Sequence, residues 1–189
     1  RFKALDQSGK TFVLLDAGAD RVYLAQTGLV GGDFPNHKTP LALVPGDRTL
    51  KDGQNELVVR FESPDVGGVK LVKTYTFERG SYAVRVQHDV QNTGTAAVAP
   101  QLYMQLVRDG NPPPGESSFY STFTGPAIYT EAKKYQKVEF KSIENNKVDV
   151  EKTATNGYVA MVQHYFASAW LLADGLKRDL FTRKVDNNL

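Results

Sequence analysis

Histidine is the residue type that most often carries acid–base or metal chemistry, and this chain has three: His37, His88 and His164. None of them stands in an HxxxH, HExxH or HxH spacing, so the sequence does not support a metal site. His37 lies in a Gly- and Pro-containing stretch and is interpreted as a solvated loop residue. His88 falls on the apolar face of a predicted strand, and His164 lies among small and apolar residues. Both are interpreted as structural histidines held by hydrogen bonds.

Other catalytic signals are equally sparse. The chain has no Cys, which excludes disulfides, thiol catalysis and cysteine zinc sites. It shows no G-x-S-x-G nucleophile motif and no glycine-rich phosphate loop. The carboxylate pairs Asp174 with Asp179 and Glu144 with Asp149 stand in charged, loop-like surroundings, where solvated side chains are expected rather than acids of raised pKa. We therefore predict no enzyme: no catalytic residue, no metal and no cofactor.

The charge distribution is mixed rather than one-sided. The chain has 23 Lys and Arg against 21 Asp and Glu, and its basic residues are scattered. A strongly basic face for nucleic acid is therefore not indicated. Between Lys133 and Lys152 the lysines are interleaved with acidic residues. Such a run is typical of a solvated face, and its functional alternative is a contact surface for a partner.

Alternation of apolar and polar residues with a period of two dominates the chain and predicts β-strands. The clearest pair is Val69–Glu78 and Ser81–Gln91, with a hairpin signal between them. If the loop has two residues, Phe77 lies opposite Tyr82 and Tyr75 opposite Val84. Because Arg79 suits the positive φ of a type I′ turn poorly, a longer turn stays open. The face predicted to be buried comprises Tyr75, Phe77, Tyr82, Val84 and Val86.

Many further short strands, separated by Gly, Pro and Asn turn signals, predict an all-β sandwich or barrel. A chain of 189 residues fits a single domain. Gly28–Pro40 is interpreted as a long surface loop, and a helix is the alternative for Glu131–Phe140. Tyr158–Trp170 allows either form and is interpreted as two strands with a turn at His164-Tyr165. The further predicted strands are Thr11–Leu15, Arg21–Thr27, Leu41–Val44, Glu56–Glu62, Ala96–Arg108, Tyr120–Phe123, Tyr135–Lys141, Tyr158–Gln163 and Ala167–Leu172.

Three stretches, taken in order, resemble a known family. Gly157–Trp170 is similar to a Gly-Trp-Val-Ala-Met-x-Gln-x-Tyr-Phe-Ala-x-Ala-Trp pattern, with Tyr158 in place of its first Trp. The segment Lys73–Val84 with Val90–Asn92, and Phe123–Gly125 followed by Tyr135–Lys137, are similar to the same family. That family is the periplasmic domain of the bacterial membrane protein insertase YidC, of the Oxa/YidC/Alb family in its Gram-negative type. The resemblance runs from about Gln26 to Asp174.

The resemblance implies a galactose mutarotase-like β-supersandwich of mostly antiparallel strands. It implies that residues 1–189 form a single periplasmic domain, a fragment of a larger protein on the periplasmic side of the inner membrane. The domain would be attached to the membrane through segments outside this chain. More strands and a helix are expected after Asp174, so the fold is expected to be truncated at its C-terminal end.

The resemblance also implies a function without catalysis, as an accessory domain of an insertase and chaperone that helps inner-membrane proteins insert and fold. Expected partners of the full-length protein are nascent membrane proteins and the Sec translocon, including SecD, SecF and SecY. The alternative is a mutarotase-like sugar-binding or epimerase module. The segment between about Tyr120 and Leu171 is the predicted contact surface, with exposed Tyr as anchors. Its candidate contact residues are Tyr129, Lys133, Lys134, Tyr135 and Lys137.

Overall fold

The computed structural model describes residues 9–18, 21–113 and 122–185, and these residues are almost entirely β-strand and connecting turns. No helix in this described part is long and apolar enough to cross a membrane. The thirteen strands and one short helix of the described residues confirm the predicted all-β class. In chain order the elements are β1 Asp16–Ala17, β2 Val22–Val30, β3 Ala42–Leu43, β4 Glu56–Glu62, β5 Val69–Glu78, β6 Val84–Asn92, β7 Gln101–Arg108, β8 Thr124–Thr130, β9 Lys134–Lys137, α1 Phe140–Glu144, β10 Thr153–Ala154, β11 Tyr158–Gln163, β12 Phe166–Leu171 and β13 Arg178–Asp179.

The chain divides into two compact units. The first comprises Arg1–Gln26 and Gln105–Leu189, and the second comprises Thr27–Met104. The two division points fall within β2 and within β7. These strands belong to a sheet of order β1-β2-β7. That residues 1–189 form a single domain stays a prediction.

The second unit is built on an antiparallel sheet of order β3-β4-β5-β6. Its core joins Val69 and Leu71 of β5 to Leu29 and Phe34. Burying these side chains removes apolar surface from water, the main favourable contribution to folding. The next residue on the same face of β5 is Lys73, which is buried and donates from Nζ to the carbonyl of Thr27 at 2.7 Å.

The predicted burial of the outer part of this face is wrong. Tyr82 is 91% exposed, Val84 is 44% exposed and Phe77 is 39% exposed. Leu29 and Phe34 pack over the Val69 end of the sheet, so the far end is left open. Alternation fixes which side chains share a face, but a segment distant in sequence decides which part of that face is covered.

The two-residue hairpin register is also wrong, and the longer turn forms instead. Phe77 pairs with Val84 and Tyr75 with Val86, so the loop runs over residues 79–83. Gly80 supplies a positive φ of 78° in this loop. The longer turn takes Tyr82 out of the strand, which explains its exposure.

The predicted surface loop Gly28–Pro40 is wrong in part. Strand β2 continues to Val30, and the chain then folds back so that the amide of Leu29 donates to the carbonyl of Pro35 at 2.9 Å. Phe34 is buried by this return. An apolar contact within the stretch thus overrides its loop-like Gly and Pro content.

The first unit contains an antiparallel sheet of order β12-β11-β8-β9. Its core joins Ile128, Ala154 and Leu180, with Val150 and Val159 packed against them. The predicted strand Tyr158–Gln163 and the turn at His164-Tyr165 are confirmed, and β12 begins one residue earlier than predicted.

Three other predicted strands in the two units are displaced. Residues 11–15 form none, and pairing with β2 begins at Asp16. The strand predicted from Ala96 starts at Gln101, directly after Pro100, which has no backbone N–H for a ladder. The strand predicted for Tyr135–Lys141 is β9 only to Lys137.

Two further expectations concern the neighbourhood of β8 and α1. The predicted strand at Tyr120–Phe123 lies partly outside the described residues, and β8 begins at Thr124. The helix considered for Glu131–Phe140 does not form, because β9 occupies the middle of that stretch. A short helix instead follows it at Phe140–Glu144.

Candidate partner-binding surface

A row of large side chains crosses the whole β12-β11-β8-β9 sheet of the first unit. Tyr135 of β9 pairs with Tyr129 of β8, which pairs with Tyr158 of β11, which pairs with Leu171 of β12. Residues directly opposite one another in neighbouring strands point to the same face, so the four side chains stand side by side. We call Tyr135, Tyr129, Tyr158 and Leu171 the tyrosine row.

The middle of the tyrosine row is ordered by ring stacking. The rings of Tyr129 and Tyr158 have centroids 5.5 Å apart and planes at 15°. Gly157 has a φ of +84°, and a Cβ at this position would collide with the carbonyl oxygen of Tyr129. Glycine therefore lets the chain enter β11 against β8 at the place where the two rings meet.

The two ends of the tyrosine row face solvent. Tyr135 is 46% exposed and Leu171 is 71% exposed. On the same face, Ala127 and Ala160 hold the positions two residues from Tyr129 and Tyr158, and these small residues are buried. The large side chains of the row consequently project beyond the neighbouring alanines and form an apolar ridge that carries phenolic hydroxyl groups.

The predicted contact lysines of β9 differ in their position relative to the tyrosine row. Lys137 shares the face of Tyr135, and its Nζ lies 5.1 Å from the centroid of the Phe123 ring. Lys134 begins β9 with a φ of 58° and is paired with Thr130, whereas Tyr135 is paired with Tyr129, so Lys134 falls outside the tyrosine row. The structure thus brings Tyr129, Tyr135 and Lys137 onto one face.

Lys133 lies in the turn before β9 and is paired with an acid. Its Nζ contacts Asp149 Oδ1 at 2.5 Å, and its backbone amide donates to Thr130 Oγ1 at 3.2 Å. The hydrogen bond from Lys133 and its positive charge lower the pKa of Asp149 below its ordinary value. This pair is exposed, so it contributes little to stability and mainly sets the local charge.

The sequence prediction missed Tyr158 and Leu171. Both were assigned to strands correctly, but their contact with Tyr129 depends on the pairing of β8 with β11, which no local pattern reveals. The pairing of Tyr158 with Leu171 could have been predicted from the sequence. A two-residue turn at His164-Tyr165 sets the register of the hairpin, and this register places Tyr158 opposite Leu171.

The histidines are engaged with hydroxyl groups. His88 Nε2 lies 2.8 Å from Thr27 Oγ1, and His164 Nδ1 lies 2.8 Å from Thr122 Oγ1. His37 contacts the Tyr103 hydroxyl. Burial and the nearby charge of Lys73 lower the pKa of His88. Within the described ranges, no three His, Asp or Glu side chains are grouped so that they could hold a metal ion.

The second unit carries an apolar depression of about 530 Å³ on the open end of its sheet. It is lined by Leu41, Val59, Phe61, Tyr75 and Phe77. All but Leu41 belong to the face of β4 and β5 whose other end forms the core with Leu71. The lining offers apolar contact and, apart from the hydroxyl of Tyr75, no side-chain hydrogen-bonding group.

Comparison with known proteins gives a consistent result. The family described as the YidC periplasmic domain matches residues 1–189. A membrane protein insertase YidC from Cupriavidus metallidurans is 51% identical over 184 residues, which is 97% of this chain and 33% of that protein. The insertase YidC of Burkholderia thailandensis is 50% identical over 183 residues, again 97% of this chain and 33% of the relative.

A third relative extends the match. The insertase YidC of Aromatoleum aromaticum is 47% identical over 188 residues, covering 99% of this chain and 34% of its own length. The chain thus spans about a third of the length of the curated relatives it matches. On this similarity over nearly all of its residues, the chain belongs to the YidC periplasmic domain family.

Proposed function

We propose that this domain, which its family places on the periplasmic side of the inner membrane, is the accessory binding module of a membrane protein insertase. In this proposal residues 1–189 form a single periplasmic domain and catalyse no reaction. The domain contacts periplasmic parts of the Sec translocon, such as SecD and SecF, through the tyrosine row. Other segments of the full-length protein contact SecY, the nascent membrane proteins and the lipid.

The tyrosine row is the observation that carries the proposal. Interface hot spots favour Tyr because it supplies a large contact area with few rotatable bonds and a polar end. Tyr135 and Leu171 are exposed at the two ends of the row, while Tyr129 and Tyr158 hold each other by stacking. A ridge that is ordered before a partner arrives loses little conformational entropy on binding.

Charges next to the ridge supply the polar rim that such an interface needs. Lys137 lies on the same face, and the Lys133–Asp149 pair lies at the neighbouring turn. Rim charges guide the encounter of two proteins more than they hold the complex, so they act mainly on the association rate. The competing interpretation is that these side chains only cover the sheet, and the experiments below separate the two.

The sugar-binding alternative has less support. A sugar site needs several converging hydrogen-bond donors and acceptors, whereas the depression near Tyr75 is lined by apolar side chains. The histidines contact hydroxyl groups of Thr and Tyr, an arrangement that stabilises structure. The mutarotase-like fold that the family resemblance implies would not by itself transfer the activity of those enzymes.

The first test replaces both exposed ends of the row in the full-length insertase, as Tyr135→Ala with Leu171→Ala. The matched control is Tyr82→Ala, which removes a more exposed Tyr from the hairpin of the second unit. We expect the double variant to lose co-purification with SecD and SecF while the control retains it. If the folded double variant co-purifies with SecD and SecF as well as the control does, the tyrosine row is not the binding surface.

The second test reverses the two rim lysines, Lys133 and Lys137, together with Lys134, each changed to Glu in the full-length protein. We expect a slower association rate, a dissociation rate close to that of the parent protein, and a difference that shrinks as salt is added. Lys134→Glu alone is the internal control, because Lys134 falls outside the tyrosine row and its rim and is expected to change association least. An unchanged association rate for the triple variant would contradict the assignment of the rim.

A further inference from the structure

Strand β6 is an edge strand in the part of the chain that the structure describes. The sheet order ends at β6, and its nine residues pair with β5 in one unbroken register. The amide of Thr93 donates to the carbonyl of Gly68 at 2.9 Å, which places the even-numbered residues of β5 and the odd-numbered residues of β6 in hydrogen-bonded pairs. By alternation, the backbone N–H and C=O groups of Val84, Val86, His88 and Val90 point to the outer edge.

This edge has few of the features that usually prevent strand pairing. Within Val84–Asn92 there is no Pro, no Lys and no bulge. Val84 and Val90 are 44% and 42% exposed, and they lie on the same face as the apolar depression. A long, regular and partly apolar edge is a template for another strand.

The sequence of β6 is complementary to itself. We propose that two copies of this chain associate through antiparallel pairing of their β6 strands, about a two-fold axis that passes beside Gln87. This register joins even-numbered residues in hydrogen-bonded pairs, as the free backbone groups require. It sets the cation of each copy beside the anion of the other. The pairs are Val84 with Val90, Arg85 with Asp89, Val86 with His88, and Gln87 with its own counterpart.

Side-chain positions support this register over others. Arg85 and Asp89 fall at a non-hydrogen-bonded pair, where opposite side chains approach most closely. Arg85 is exposed and forms an ion pair with Glu78 of its own sheet at 3.0 Å, while Asp89 accepts a hydrogen bond from Gln87 at 2.8 Å. Both can therefore add a contact across the axis. Shifting the register by two residues would lose both charge pairs.

The two apolar faces become continuous in this arrangement. Val84 of one copy meets Val90 of the other, so the apolar face of one sheet extends into the next. A single strand pair buries less surface than a standard interface of about 1,600 Å², and such interfaces are weak. We therefore expect association at micromolar to millimolar protein concentration. The proposal concerns a surface of the second unit and goes beyond the proposed function.

The first test exchanges charges and measures mass by sedimentation equilibrium up to about 1 mM chain. Arg85→Asp and Asp89→Arg each place like charges opposite one another, and we expect each to weaken association about tenfold. The combined variant Arg85→Asp with Asp89→Arg restores opposite charges and should recover most of the loss. Monomer at every concentration in the parent chain, or no recovery in the combined variant, would overturn the proposal.

The second test exploits the absence of Cys from the chain. Gln87→Cys places one thiol per copy beside the axis, where mild oxidation should yield a disulfide-linked dimer. Arg85→Cys is the matched control, since its two thiols would be offset by four residues, about 13 Å along the strand. Circular dichroism checks that both variants fold. Equal cross-linking of both variants would overturn the register, and no cross-linking of either folded variant would overturn the dimer.

Discussion

Tyr129 and Tyr158 are stacked across the β8–β11 pair, with ring centroids 5.5 Å apart and planes at 15°. The pair lies in the middle of a row that ends in the exposed Tyr135 and Leu171. One contact therefore serves stability, since it ties two strands that are distant in sequence. It also holds the ridge that we propose as a binding surface.

Stacking predicts an energetic coupling between Tyr129 and Tyr158. In a double-mutant cycle with Tyr129→Leu and Tyr158→Leu, we expect a coupling free energy of about 0.5–1.5 kcal/mol in urea unfolding. Leucine keeps much of the apolar area, so the coupling reports the ring contact. Additive effects of the two substitutions would mean that the stacking is energetically neutral.

Exposure of the outer end of β6 predicts a small effect of a charge at Val84. Val84→Asp should cost no more than about 1 kcal/mol, because the carboxylate remains in water. Leu71→Ala, on the same sheet face but fully buried, should cost about 2–5 kcal/mol. Chemical denaturation of both variants compares them. A larger loss for Val84→Asp than for Leu71→Ala would show that the outer end is covered.

The sequence predicted correctly those strands that alternation and neighbouring turn residues define. Strands Val69–Glu78, Glu56–Glu62 and Tyr158–Gln163 have the predicted bounds, because alternation and turn residues define them within a few positions. The cover over Val69 could not be predicted from alternation, since it comes from Leu29 and Phe34. Those residues lie in a stretch whose composition is typical of a loop.

The candidate surface was also predictable only where its residues are close in sequence. The charged segment predicts Tyr129 and Tyr135 as contact residues, and the hairpin of β8 and β9 pairs them directly. Tyr158 joins them only through the β8–β11 pairing, and Leu171 through β11–β12. The same segment predicts Lys134, but Lys134 is paired with Thr130 and falls outside the tyrosine row.

Gly157 is predicted to tolerate no side chain. Its φ of +84° is unfavourable for any residue with a Cβ, and that Cβ would also collide with the Tyr129 carbonyl. Gly157→Ala should therefore cost at least about 2 kcal/mol. Gly175→Ala is the matched control, because Gly175 has a φ of +88° with no atom near the added Cβ. Equal losses in thermal unfolding would mean that backbone strain alone acts at both positions.

The pair of Lys73 and His88, directly opposite each other in β5 and β6, predicts a pH dependence of stability. Burial, and then the charge of Lys73, lowers the folded-state pKa of His88 below the ordinary value of 6.5, while Asp89 opposes this shift. Between the folded and the ordinary pKa the unfolded chain binds more protons, so the free energy of unfolding rises with pH through this window. The stabilisation is present above pH 6.5 and is lost as the pH falls through the folded-state pKa.

We expect His88→Gln, which keeps a polar group for Thr27 Oγ1, to flatten this slope below pH 6.5 in urea unfolding. Lys73→Met removes the second cause of the shift and should reduce the slope partially while leaving burial in place. Burial also lowers the pKa of Lys73, because the charged form is desolvated, and Lys73→Met additionally removes its hydrogen bond to the Thr27 carbonyl, so the slope is compared rather than the absolute stability. If the free energy of unfolding of His88→Gln changes with pH as in the parent protein, other groups cause the acid sensitivity. If only Lys73→Met keeps the parent slope, burial alone causes the pKa shift of His88.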